Sequence, residues 1–292
     1  MIDIDDLDFK EFPGGELHIT SAWYTRFILG EANPHIRKDN LAVVLCRIRS
    51  SNDFMKLVLF TDAFKRAFGY SPDQLILPYI PYARQDRVPV KGEALSIKAF
   101  TNLLNSLEYS EVVVIDPHSD VSTALIENVT IIPQWIVWKN TLFDLYREYG
   151  KLDLISPDAG ALKKVYNLVS IGNYEISDNV RVGTKHRDTL TGKITGTSVD
   201  GKAKNKVGII IDDICDGGRT FIELAKFLHG QYEKLILCVT HGIFSKGVHE
   251  LSDCFDEIYS TNSWDVCLDN YVELKVLDIK EDVLYGNKLL SL

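Results

Sequence analysis

Asp212 and Asp213, followed by Asp216, Gly217, Gly218, Arg219 and Thr220, stand directly behind the β-branched run Val207 to Ile211. Such a run fits a buried parallel strand. Past Thr220, the positions Phe221, Leu224, Ala225 and Leu228 fall on one face of a helix. Strand, acidic pair, glycine turn and helix start together form an anion site: glycine lets backbone N–H groups approach a phosphate, and the helix dipole adds partial positive charge. The carboxylates would repel a bare phosphate, so ribose hydroxyls or a metal are their natural partners. The same order also describes a plain βα turn with aspartate caps, although neither Asp212 nor Asp213 adjoins the helix start. Arg84 and Arg87, in Arg84-Gln85-Asp86-Arg87, offer planar donor forks matched to phosphate oxygens. His118 follows another apolar run and lies between Asp116 and Asp120, a setting that suits a neutral imidazole metal ligand.

The elements that must position these residues are legible in the same way. Strands are expected at 41–46, 74–77, 111–115, 152–155, 207–211 and 235–240, with late strands at 258–260 and 272–276. Helices are expected at 53–68, 94–107, 141–149, 161–168, 221–228 and 278–290. Phe12-Pro13-Gly14-Gly15-Glu16 reads as a hairpin turn before Leu17-His18-Ile19-Thr20. Pro78-Tyr79-Ile80-Pro81-Tyr82-Ala83 makes a proline-stiffened loop after a strand. Loops at the carboxyl ends of parallel strands are where α/β proteins bind ligands.

The chain has 292 residues, enough for two α/β domains, and 46% hydrophobic content. Its formal charge of −9, from 32 Lys and Arg against 41 Asp and Glu, argues against a nucleic-acid partner. Cys46, Cys215, Cys238, Cys254 and Cys267 are an odd set without a Cys-x-x-Cys pair, as expected of reduced thiols in a cytoplasmic protein. The acidic N-terminus (Asp3, Asp5, Asp6, Asp8) is unlike a signal or transit peptide, and no apolar run approaches membrane-spanning length.

Asp212-Asp213-Ile-Cys-Asp216-Gly217-Gly218-Arg219-Thr220 resembles the phosphoribosyl-pyrophosphate loop shared by type I phosphoribosyltransferases and ribose-phosphate pyrophosphokinases. Pro78-Tyr79-Ile-Pro-Tyr82-Ala83-Arg84-Gln85-Asp86-Arg87 resembles a signature that the pyrophosphokinases have and the phosphoribosyltransferases lack. Asp116-Pro-His118, Ser156-Pro157-Asp158-Ala-Gly160, Lys185-His186-Arg187 and Thr240-His241-Gly-Ile-Phe244-Ser245 follow in the order of that family. The resemblance implies two tandem, similar phosphoribosyltransferase-like α/β domains, each a mainly parallel sheet flanked by helices. Residues 1–138 would form the ATP-side domain and 139–275 the domain with the ribose-phosphate loop, with residues 276–292 returning to the first. It implies a diphosphotransferase that moves pyrophosphate from MgATP to the C1 hydroxyl of ribose 5-phosphate and releases AMP. Lys185 and Arg187 would begin a catalytic loop. Arg84, Gln85, Asp86 and Arg87 would hold ATP together with Phe12 and Glu16 of a neighbouring subunit, so a homodimer or larger homo-oligomer is expected. His118 and Asp158 would serve Mg²⁺. Asp212 and Asp213 would hold ribose hydroxyls, and Asp216, Gly217, Gly218, Arg219 and Thr220 the 5-phosphate.

The sequence departs from that pattern in places. Gly14 replaces an aspartate of the adenine loop, Gly217 a threonine, and Arg219 a glycine. The loop after the Cys46 strand and the C-terminal tail are shorter than in regulated bacterial members, so their ADP and phosphate control is not expected. A lost hydroxyl and a gained guanidinium would also suit a 5-substituted acceptor such as ADP-ribose. A phosphoribosyltransferase and a non-catalytic regulatory paralogue are the remaining rivals; the second would be expected to lack Lys185, Arg187 or His118, and all three are present.

Overall fold

The computed structural model describes residues 1–25, 41–187, 194–264 and 274–285. Its backbone divides into two compact units, Met1–Ile132 and Pro133–Leu292.

In the first unit the order is β1 (Ile2–Asp3), β2 (Phe9–Glu11), β3 (Leu17–Ile19), α1 (Ala22–Tyr24), β4 (Val43–Leu45), α2 (Ser51–Phe68), β5 (Gln74–Leu77), α3 (Ser96–Asn105), β6 (Glu111–Ile115), α4 (Asp120–Ala124) and β7 (Val129–Ile132). β1-β4-β5-β6-β7 form a five-stranded, wholly parallel sheet. β2 and β3 make the expected hairpin, closed where Phe12 N–H donates to the Glu16 carbonyl at 2.8 Å. α2 begins at a capping box, with Ser50 and Asp53 exchanging side-chain and backbone bonds, and ends on Gly69 in the left-handed region. Leu57, Phe60 and Phe64 of α2 join Leu75, Leu77, Ile97, Phe100, Val112 and Val114 in one core. Fully burying each of these side chains contributes about 1.5–3 kcal/mol.

The second unit runs α5 (Gln134–Tyr149), β8 (Asp153–Ser156), α6 (Leu162–Tyr166), β9 (Ser170–Ile171), β10 (Tyr174–Glu175), β11 (Asn179–Arg187), β12 (Ile194–Val199), β13 (Val207–Cys215), α7 (Arg219–Leu228), β14 (Lys234–Gly242), α8 (His249–Ser252), β15 (Glu257–Thr261), β16 (Leu274–Leu277) and a π-helical segment, Ile279–Tyr285. Its seven-stranded sheet has the order β12-β11-β8-β13-β14-β15-β16. All neighbours are parallel except β11 and β12, which form an antiparallel hairpin at one edge. The face of α7 read from the sequence is the one buried: Phe221, Leu224, Ala225 and Leu228 pack on Ile210, Leu237 and Val239.

Some expectations change. Helix α5 starts earlier than the expected 141–149: its first part takes in 134–138, where Trp138 is fully buried and donates from Nε1 to Thr240 Oγ1 at 3.2 Å. Two tryptophans in Gln134-Trp-Ile-Val-Trp138 disguise a helical period that burial against β14 makes effective. The described residues after 273 also stay with the second unit. β16 extends the ladder of β15, and Asn262 holds the next turn through Asp278 Oδ2 at 2.8 Å and the Ile279 N–H at 2.8 Å. These backbone and side-chain bonds hold the described part of the segment, while residues 286–292 lie outside the described residues.

Candidate active site

β13 is longer than its apolar run. It continues through both aspartates to Cys215, because pairing with β14 persists at Asp212 with Val239, Ile214 with His241 and Cys215 with Gly242. Asp212 and Asp213 therefore stand on the last part of a central strand and not on a loop. Asp213 is buried and its Oδ2 meets Lys164 Nζ of α6 at 3.1 Å, while Asp212 is partly exposed and its Oδ1 accepts the Asp213 N–H at 2.9 Å. Lys164 is a residue that sequence reasoning missed, since nothing local relates it to an aspartate 49 residues away.

The turn that follows places its glycines for steric reasons. Gly218 has φ +73° and sits so close to Leu251 that an added Cβ would lie 3.3 Å from that side chain. α7 then starts on Gly218 with no side-chain cap, which leaves its first N–H groups for an anion from outside. The neighbouring β14 loop is strapped to this turn. Ile243 and Phe244 N–H both donate to the Cys215 carbonyl (2.8 and 3.1 Å), Ser245 N–H donates to the Asp216 carbonyl at 3.1 Å, and Ser245 Oγ donates to Asp216 Oδ1 at 2.6 Å. Burial, with the nearby Asp212 and Asp216, pushes the Cys215 thiol up to about 12, so it is a structural thiol rather than a nucleophile. Thr220 is half-buried on the first turn of α7. Arg219 is exposed and its Nε donates to Glu223 Oε1 at 2.8 Å, one helical turn on.

Asp158 belongs to the same carboxyl edge, after β8. Its Oδ1 accepts from the Gly160 and Ala161 N–H groups at 2.9 and 3.2 Å, which makes turn capping its visible work. β11 runs beyond the end of β8, with Val182 still paired to Ser156, and carries the backbone of Lys185, His186 and Arg187 above that edge. The side chains of Lys185 and Arg187, and the loop expected after them, lie outside the described residues.

In the first unit the corresponding edge carries the other candidates. The loop after β5 is buried through Pro78, Tyr79, Ile80 and Pro81 and then turns outward, leaving Arg84, Gln85 and Arg87 exposed and Asp86 partly so. Tyr82 makes the turn at φ +62°, and its carbonyl accepts the Gln85 N–H at 2.8 Å. The loop after β6 lies alongside, because Ile115 N–H donates to the Pro78 carbonyl at 3.3 Å. There Asp116 is buried at φ +42° and His118 is exposed. Tyr82 and Asp116 are non-glycine residues in the left-handed region, an arrangement a fold keeps where loop direction matters. Phe12 and Glu16 are both exposed at the hairpin tip. The loops that carry Arg84 to Arg87 and His118 thus leave adjacent strands of the first sheet, and Asp158, the Lys185–Arg187 backbone and the turn from Asp212 to Thr220 follow adjacent strands of the second.

Among the described residues no group of three or more His, Cys, Asp or Glu is clustered to hold a metal ion. A single exposed imidazole on a loop suits a cation that brings most of its oxygen ligands with it, which is how Mg²⁺ binds on nucleotide phosphates.

The profile of the N-terminal domain of ribose phosphate pyrophosphokinase matches residues 8–107. The ribose-phosphate pyrophosphokinase of Mycoplasmopsis pulmonis is 32% identical over 240 residues, covering 80% of this chain and 71% of that one. That of Aquifex aeolicus is 30% identical over 280 residues (90% and 85%), and that of Pyrococcus furiosus 28% over 264 residues (89% and 86%). In fold, the chain is similar to the crystal structure of phosphoribosylpyrophosphate synthetase from Mycobacterium smegmatis, with a TM-score of 0.74 at 22% identity over 97% of this chain and 89% of that one. With a parallel-sheet architecture, a phosphate-type turn on β13 and these relatives along nearly its whole length, the chain belongs to the ribose-phosphate pyrophosphokinase family.

Proposed function

We propose that this protein is a diphosphotransferase that moves pyrophosphate from MgATP to the C1 hydroxyl of ribose 5-phosphate and releases AMP. The observation that carries the reading is the uncapped start of α7 behind Asp212 and Asp213, in a chain of this family. The acceptor's C1 oxygen forms a bond to the β-phosphorus, the bond from the β-phosphorus to the α–β bridging oxygen breaks with that oxygen leaving on AMP, and the C1 hydroxyl proton is released. Such a transfer asks the protein for positioning and charge neutralisation more than for covalent chemistry.

Asp212 and Asp213 accept from ribose hydroxyls, and Lys164 orients the buried Asp213 through their ion pair. The N–H groups of Asp216 to Thr220 receive the 5-phosphate. Arg84, Gln85, Asp86 and Arg87 bind the nucleotide, and Lys185 and Arg187 stabilise the transferring group. His118 is the residue that would reach a nucleotide-bound Mg²⁺, an ion that neutralises charge on phosphate oxygens. Phe12, an apolar ring left 53% exposed on a hairpin, supports a site completed between subunits, and we place the active unit at a homodimer or larger. Cys46, Cys215 and Cys238 are unpaired and buried, which fits a reducing compartment, and the cytoplasm is the location proposed. No described helix is long and apolar enough to cross a membrane.

No observation favours ADP-ribose over ribose 5-phosphate. Arg219, one of the two substitutions on which that alternative rests, donates its Nε to Glu223. The reading is tested by incubating the protein with ATP, Mg²⁺ and ribose 5-phosphate. AMP release that requires the acceptor is expected; ADP as the nucleotide product would overturn the chemistry.

A further inference from the structure

The turn proposed to take the 5-phosphate has an unfavourable charge balance. Asp212, Asp213 and Asp216 stand within it or just before it, and a phosphate monoester brings a further dianion. Two nearby cations are already engaged: Lys164 with Asp213 at 3.1 Å and Arg219 with Glu223 at 2.8 Å. Backbone N–H groups and a helix start supply only partial charges. Among the described residues, neither of these two cations is directed at the incoming phosphate.

Lys246 is placed to supply a full positive charge. The segment from Ile243 to Ser245 is held against Cys215 and Asp216 by backbone bonds and by the Ser245–Asp216 side-chain bond. Gly247, in the left-handed region with its N–H donating to the Phe244 carbonyl at 2.7 Å, closes the turn, and Val248 and Leu251 are buried behind it. Lys246 is consequently carried over Gly217: a Cβ added there would meet its Cδ and Cε at 3.6 Å. The lysine methylenes thus lie within van der Waals reach of position 217. Lys246 is exposed and has no ion-pair partner among the described residues.

We propose that Lys246 is a specificity-determining residue whose ammonium binds the acceptor's phosphate monoester at the Asp216–Gly218 turn; this rests on the function proposed above. Ser245 is its positioning residue, fixing the strap through Asp216.

The test uses the full chain and steady-state kinetics with ribose 5-phosphate and MgATP varied separately. Lys246→Met keeps the methylenes over Gly217 and removes only the charge. It should raise KM for ribose 5-phosphate by about tenfold to a hundredfold while KM for ATP moves less than about twofold. Lys246→Arg should recover most of the loss. An unchanged KM for ribose 5-phosphate in Lys246→Met, or equal rises for both substrates, would overturn the inference alone and leave the activity standing. Wild-type protein that releases no AMP with ribose 5-phosphate would overturn the reading of function and this inference with it.

Discussion

Asp212 and Asp213 look alike in the sequence and differ in the fold. Asp213 is locked to Lys164, while Asp212 is the more exposed of the two. Lys164→Met should therefore remove an ion pair from a buried carboxylate, a loss on the order of 3 kcal/mol in unfolding free energy, measurable by urea titration. Lys185 and Arg187 act, in the proposed mechanism, chiefly on charge that develops during transfer. Lys185→Ala and Arg187→Ala should each lower kcat by about 10²–10³ with far smaller changes in KM. A loss confined to KM would make them ground-state binders. Arg84→Ala and Arg87→Ala, by contrast, should raise KM for ATP by roughly tenfold, since each removes a charge-assisted fork from bound nucleotide.

At the level of elements, the edge of the second sheet is built from charge as well as backbone pairing. Burial pushes the Glu257 carboxyl up, but the hydrogen bonds from Lys234, Lys275 and Tyr259 outweigh it and hold its pKa at about 2. Because the folded value is depressed, the stabilisation is complete above the ordinary carboxylate range and is lost as pH falls through about 4 towards 2. The side chain is only 15% exposed, so a contribution on the order of 2–3 kcal/mol is expected. Denaturation midpoints at pH 7 and pH 3 should converge in Glu257→Gln relative to wild type. The crossing of β14 into the Ser245 strap is tighter still. A Cβ at Gly242 would stand 2.2 Å from the Phe244 ring and 2.5 Å from Ser260 Oγ. Gly242→Ala should cost about 3 kcal/mol or more and disturb the strap that carries Lys246.

For the whole molecule, each unit brings its candidate loops to the carboxyl edge of its own mainly parallel sheet, the place where doubly wound α/β domains bind ligands. The exposed Phe12 and Glu16 hairpin tip makes assembly part of the proposed activity. Sedimentation at assay concentration should give a dimer or larger species, and Phe12→Ala should raise KM for ATP. A fully active monomer would sink the shared site.

What the sequence determined by itself is what depends on local pattern. The β-branched run before Asp212, the Phe221–Leu228 face and the prolines at 78 and 81 each restrict the backbone in their own neighbourhood, the glycines at 217 and 218 free it for a turn, and the motif order along the chain carried the family. What only the tertiary structure decided depends on partners distant in sequence. Strand β13 outlasted its apolar run because β14 offered hydrogen-bond partners as far as Gly242. The 134–138 segment became helix because Trp138 found Thr240 and a buried site. Lys164, 49 residues from Asp213, and Lys246, laid over Gly217, have no local signature at all. Their roles arise from which loops parallel strands bring to one edge, and long-range pairing, not composition, sets that.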